Sequence, residues 1–174
     1  MVLIGSRGSG KSTLAPRLAQ ELGWSCIDLD ELISNRIGDD LSPWITTHGW
    51  AAFRTLERQT LAQVISQDDT VIACGAGIVE GDDMRTDLRA NETLILWLDI
   101  DTQEQERRLK RDTLRPRLEP GQRWVNELQI VDQRRRALYQ QLSDQRIDAA
   151  KALDQLLVDC IDHIKTYLGK PQRN

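Results

Sequence analysis

Gly5-Ser6-Arg7-Gly8-Ser9-Gly10-Lys11-Ser12 follows the phosphate-loop pattern of a glycine, four residues and then Gly-Lys-Ser, directly after the apolar run Met1-Val2-Leu3-Ile4. Glycines at these positions let the backbone turn tightly and aim its N–H groups at phosphate oxygens, and a helix starting near Lys11 adds its positive dipole end. Gly8, Ser9, Gly10, Lys11, Ser12 and Thr13 therefore form an expected cradle for a nucleoside triphosphate. Lys11 would reach the β and γ phosphates, and the Ser12 hydroxyl would meet Mg²⁺, a hard cation that keeps several waters and takes few protein ligands.

Asp28 and Asp30 close the next apolar run. Two residues apart on a strand, they would share one face and look into the cleft beside the loop. One carboxylate could then hold the water shell of a metal while the other accepts a hydrogen bond, or the proton, of a hydroxylated substrate. The competing structural reading is an acidic strand-to-helix turn with Asp30 as a helix cap. Arg54 precedes Glu57 by three positions on an expected helix, so an intrahelical pair would fix its guanidinium plane as a carboxylate receptor. Arg115 lies in a proline-punctuated stretch that reads as a mobile loop, where it could neutralise charge on a transferred phosphoryl group. Arg135 sits within Arg134-Arg135-Arg136 on a later helix, and composition alone does not choose among such neighbours.

Strands must alternate with helices to position these groups. The chain reads as a strand at residues 1–4, a helix with Leu14, Leu18 and Leu22 at helical spacing, and a strand from Trp24 to Ile27. Ser42-Pro43 looks like a helix cap followed by proline at the first helical position, and a longer helix spans Trp50 to Val64. Strands follow at Thr70 to Cys74 and Thr93 to Leu98, then helices from about Thr102 and from Trp124 to Leu142, a strand around Ile147, and a last amphipathic helix. Pro16 inside the first helix removes one backbone hydrogen bond. This alternation predicts an α/β fold with a parallel sheet covered by helices on both faces and ligands at the carboxyl ends of its strands.

With 174 residues, 40% of them hydrophobic, one domain is expected. The net charge of −4 and a pI near 5.2 argue against a general nucleic-acid surface, and no apolar run reaches the length of a membrane span. Met1 leads straight into the first strand without a basic leader, which points to the cytoplasm. Cys26, Cys74 and Cys160 lack metal or disulfide spacing and read as small core residues.

Taken together, these segments resemble the shikimate kinases over nearly the whole chain. Asp28-Leu29-Asp30 stands where that family has D-x-D, Phe53-Arg54-Thr55-Leu56-Glu57 where it has F-R-x-x-E, and Cys74-Gly75-Ala76-Gly77 where a strand runs into G-G-G. Arg115-Pro116 matches the R-P of the lid, and Arg135-Arg136-Ala137-Leu138-Tyr139 the arginine before L-Y. Gly49-Trp50 and the lid sequence look more like the type II members. The resemblance implies a P-loop, nucleoside-monophosphate-kinase-like fold with a five-stranded parallel sheet and a mobile lid. It also implies transfer of the γ-phosphoryl of ATP to the 3-hydroxyl of shikimate, a step toward chorismate and the aromatic amino acids, by a cytoplasmic monomer that uses Mg²⁺. In one domain, 1–174, the phosphate loop would occupy 5–13, an acceptor-binding helical region about 31–64, and the lid about 112–123.

Carried over by position, the resemblance makes Lys11, Asp30 and Arg115 catalytic, with Asp30 as base, and gives Mg²⁺ to Ser12 and Asp28. It places Arg108 against adenine and assigns the acceptor to Asp30, Arg54, Glu57, Gly75, Ala76, Gly77 and Arg135. Ala76 departs from the G-G-G pattern, and a Cβ there would strain the loop if the backbone required positive φ. The segment 147–152 also lacks a proline often found on the adenine side. Two other readings remain open at this point: another small-molecule kinase of the same fold, such as a gluconate kinase, and a sensor that binds shikimate without turnover.

Overall fold

Residues 1–90, 93–109 and 124–169 are described by the computed structural model. The three strands β1 (Val2–Ile4), β3 (Thr70–Ala73) and β4 (Ile95–Asp99) are buried at every position, as strands covered on both faces must be. The flanking strands β2 (Ser25–Asp28) and β5 (Gln145–Asp148) are partly exposed. The sheet order is β2-β3-β1-β4-β5, and every pairing is parallel. Sequence reasoning therefore located the five strands, with ends displaced by one or two residues.

Side-chain alternation sorts the core into two layers. Leu3 packs on one face with α1 (Lys11–Leu22) and α7 (Leu153–Leu168). Val2 and Ile4 pack on the other with α2 (Leu29–Ile37), α3 (Leu41–Val64), α4 (Asp82–Ala90) and α6 (Trp124–Leu142). Helix α5 (Thr102–Leu109) lies between β4 and α6 in the chain. The connection from β1 thus crosses one face, while those from its neighbours β3 and β4 cross the other. The carboxyl end of β1 is therefore where the winding switches sides, the place where a ligand crevice lies in sheets of this kind.

Several local expectations are corrected. Asp30 is not on a strand. The strand ends at Asp28, whose carboxylate caps α2 by accepting from the N–H groups of Asp30 and Glu31 at 3.0 and 3.3 Å. The capping role belongs to Asp28, and Asp30 lies in the first helical turn. Helix α3 starts at Leu41 behind Asp40, so Pro43 occupies the third helical position, where its missing N–H is still one that no helical carbonyl would receive. Within α3 the segments 41–48 and 50–64 meet at Gly49, whose φ of 84° no β-branched or bulky residue would readily adopt. Cys74 and Cys160 are buried as expected, whereas Cys26 is exposed because β2 is an edge strand. Helix α4 was not foreseen; its two buried residues, Met84 and Leu88, give too short an apolar stripe to stand out.

Candidate active site

The loop between β1 and α1 is closed by its own backbone and by its lysine. Lys11, 8% exposed, donates from Nζ to the carbonyls of Gly5 and Ser6 at 2.8 and 2.9 Å and to Ser9 Oγ at 3.3 Å. Gly10 holds the N-cap of α1 at φ 95°, supplies no side-chain cap, and is followed by no acidic residue in the first turn. The N–H groups at this end are therefore not met by a side-chain cap and suit a phosphate. Helix α2 makes the opposite choice, with Asp28 covering its N–H groups and Asp30 and Glu31 in its first turn. Ser12 and Thr13 are exposed on the first turn of α1.

Arg108 at the end of α5 joins three parts of this region. Its guanidinium donates to the Gly8 carbonyl at 3.2 Å, to the Ala149 carbonyl beyond β5 at 2.7 Å, and to Glu104 Oε1 at 2.7 Å. Two arginines, Arg107 and then Arg108, hold the Glu104 carboxyl down to about 2. Gln105, which sequence reasoning did not single out, is buried and donates to the Arg7 carbonyl at 3.0 Å, bracing the loop from α5.

Across the crevice, side chains from three helices converge on the segment that follows β3. A Cβ added to Gly77 would fall within the Arg54 guanidinium, and one on Gly75 would strike Glu57 Oε1 and lie 3.1 Å from Asp30 Oδ1. A side chain at 75 or 77 would thus displace Glu57 or Arg54, and neither glycine is needed for a backbone angle. Ala76 has no positive φ, is buried, and accepts a hydrogen bond from Tyr139 Oη at 2.5 Å through its carbonyl. The strain anticipated for Ala76 is absent.

Arg54 and Glu57 form the expected pair on α3. Glu57 is fully buried; burial pushes its carboxyl pKa up, against the pull of Arg54 and Arg135. Arg135 on α6 is 3% exposed. Burial opposes its charge, but Tyr139, Glu80 and Glu57 overcome this and raise its pKa, so it stays protonated. Arg54 and Arg135 are linked by Glu80, at the end of a 3-10 turn (Ile78–Glu80), whose Oε2 is 2.8 Å from Arg135 and 3.7 Å from Arg54. Half-burial works against the Glu80 charge, yet the hydrogen bond and charge of Arg135, with Arg134 and Arg54, hold its carboxyl below the usual range. Glu80 was missed in the sequence; the one available signal was a carboxylate three residues beyond Gly75-Ala76-Gly77, after apolar Ile78 and Val79.

The structure thus groups Gly8, Ser9, Gly10, Lys11 and Arg108 on one side, and Asp30, Arg54, Glu57, Gly75, Ala76, Gly77 and Arg135 on the other. Arg115 and the expected lid, 112–123, lie outside the described residues.

A phosphate loop after the first strand of a five-stranded parallel sheet, facing a second pocket of arginines and carboxylates, defines a P-loop kinase of the nucleoside-monophosphate-kinase fold. The shikimate kinase family profile matches residues 7–165. A shikimate kinase of Synechococcus elongatus is 37% identical over 147 residues, covering 84% of this chain and 75% of the relative. A solved shikimate kinase of Acinetobacter baumannii in complex with shikimate superposes with a TM-score of 0.90 at 27% identity, covering 97% and 94% of the two chains. A deoxyadenosine kinase of M. mycoides, at 16% identity and a TM-score of 0.61 over 95% of this chain and 100% of that one, shares the fold. The chain belongs to the shikimate kinase family.

Proposed function

We propose that this protein is an ATP-dependent phosphotransferase that moves the γ-phosphoryl of ATP to the 3-hydroxyl of shikimate, giving shikimate 3-phosphate. The observation that carries the reading is the convergence of Asp30, Arg54 and Glu57 on Gly75 and Gly77, opposite Lys11 and the open N-terminus of α1. A small hydroxylated acid needs such a pocket: guanidiniums for its carboxylate, close backbone for its ring, and a carboxylate for the hydroxyl that attacks.

Lys11 exchanges its present carbonyl partners for the β and γ phosphates and, with Arg115, offsets charge on the transferred group. Asp30 accepts the proton of the acceptor hydroxyl as that oxygen bonds to the γ-phosphorus and the bond to the ADP oxygen breaks. Arg54 and Arg135 bind the acceptor carboxylate, Glu57 fixes Arg54, and Arg108 lies against the adenine. For Mg²⁺, Ser12 and Asp28 are a fitting donor set. Oδ1 of Asp28 alone carries the cap of α2, and a hard cation that keeps waters and phosphate oxygens asks for little more. When bound, the ion offsets phosphate charge.

A coupled ADP-release assay with Mg²⁺-ATP and a panel of shikimate, quinate, gluconate and nucleoside monophosphates tests this reading. Release with shikimate, lowered roughly 10²–10⁴-fold in Asp30→Asn while the fold is retained, is the expected result. Release with gluconate instead, or turnover unchanged by Asp30→Asn, would refute the acceptor or the base.

A further inference from the structure

We propose that Glu80 is an internal occupant of the acceptor clamp, a carboxylate that the arriving acceptor must displace and that therefore sets affinity and selectivity for a carboxylate-bearing substrate. This rests on the reading of Arg54 and Arg135 as that clamp. The two oxygens of Glu80 have different partners. Oε2 lies between the two clamp arginines, at 2.8 Å from Arg135 and 3.7 Å from Arg54, where an acceptor carboxylate oxygen would sit. Oε1 is held at 2.5 Å by Arg134, which is half-exposed and one residue outside the clamp. Arrival of the acceptor can thus take Oε2's contacts while Arg134 keeps hold of Oε1.

Two unsatisfied atoms show that Glu80 does not complete the site. Among the described residues, Arg135 Nε is buried with no hydrogen-bond acceptor, and Glu57 Oε1 is buried with no donor. Buried polar atoms left this way favour a ligand that pairs with them. Charge points in the same direction. Arg54, Arg134 and Arg135 carry three positive charges against three carboxyls, Asp30, Glu57 and Glu80, so Glu80 cancels the surplus that an acceptor carboxylate would meet. Removing the charge of Glu80 leaves one positive charge over, so an anionic acceptor binds more tightly and a neutral one gains nothing.

Steady-state kinetics of the whole protein at saturating ATP separates this from a positioning role for Glu80. In Glu80→Gln the KM for shikimate is expected to fall about five-fold, with kcat and the ATP KM within about two-fold of wild type. The methyl ester of shikimate, which lacks the charge, should show no such gain. Arg134→Ala should raise the shikimate KM more in the wild-type background than beside Glu80→Gln, because part of its effect is to draw Glu80 aside. A shikimate KM that rises or stays level in Glu80→Gln overturns the proposal, since a residue that orients Arg135 would weaken binding when neutralised. Calorimetry with malonate, a small dicarboxylate, reads the clamp without turnover. Tighter malonate binding to Glu80→Gln than to wild type supports the proposal even if shikimate proves not to be the substrate, whereas equal binding or none overturns it.

Discussion

The donor and acceptor sides of this crevice are built in different ways. On the donor side, residues 5–13 hold themselves: Lys11 and the loop carbonyls satisfy one another, and N–H groups at the start of α1 supply the binding surface. The acceptor side has no such local unit. Its walls come from α2, α3, the 3-10 turn and α6, and beyond the local Arg54–Glu57 pair its arginines meet a carboxylate, Glu80, that is 26 and 55 positions away in the chain. A backbone-built site depends on conformation, and a side-chain-built site depends on packing and charge balance. The two should therefore fail differently.

The largest separation is expected from Lys11→Ala, which should lower kcat roughly 10²–10³-fold and leave shikimate binding intact by calorimetry; equal losses on both sides would mean the two halves are not independent. Gly77→Ala should do the reverse. Its Cβ displaces the Arg54 guanidinium, so the shikimate KM should rise roughly 10–100-fold with the ATP KM unchanged. A smaller effect concerns pH. The carboxyl of Glu80 is held below its usual range in the folded protein, so its contribution to stability is present above the unfolded value of about 4.3 and is lost as pH falls through the lower folded value. The difference in urea midpoint between wild type and Glu80→Gln should accordingly change between pH 7 and pH 3 in the direction of losing wild-type stability. The smallest effect belongs to Ala76→Gly. With no positive φ to relieve, glycine should leave kcat and KM within about two-fold and lower stability by about 0.5–1 kcal/mol through chain entropy. A marked rise in activity would show that the Ala76 methyl crowds the acceptor.

This contrast also explains what could be read from the sequence. The loop was legible because eight consecutive residues encode it, and the buried strands because apolar runs such as Ile95-Leu96-Trp97-Leu98 have few other uses. Arg54 and Glu57 were legible because a pair three apart on a helix is local. Asp30 does lie beside the glycine segment, but not by sharing a strand face with Asp28: the strand ends two residues earlier, and Asp28 caps α2. Glu80 was not legible, because its meaning depends on arginines 26 and 55 positions away that only the folded sheet brings to it. Ala76 looked like a defect in a glycine run, yet within that run it is at Gly75 and Gly77 that a side chain would displace Glu57 or Arg54.

Tyr139 carries a consequence of another kind. It is fully buried against Trp97, four residues along α6 from Arg135, and its hydroxyl is bonded to the Ala76 carbonyl across 63 residues of chain. In the language of precision machining, Tyr139 gives the guanidinium and the glycine segment a common reference surface. Positional error accumulated along the intervening helices, turns and strand does not enter the gap between them. Slippage of α6 carries the Arg135 guanidinium and the Ala76 carbonyl together, so the gap between those two is protected from shifts elsewhere in the molecule.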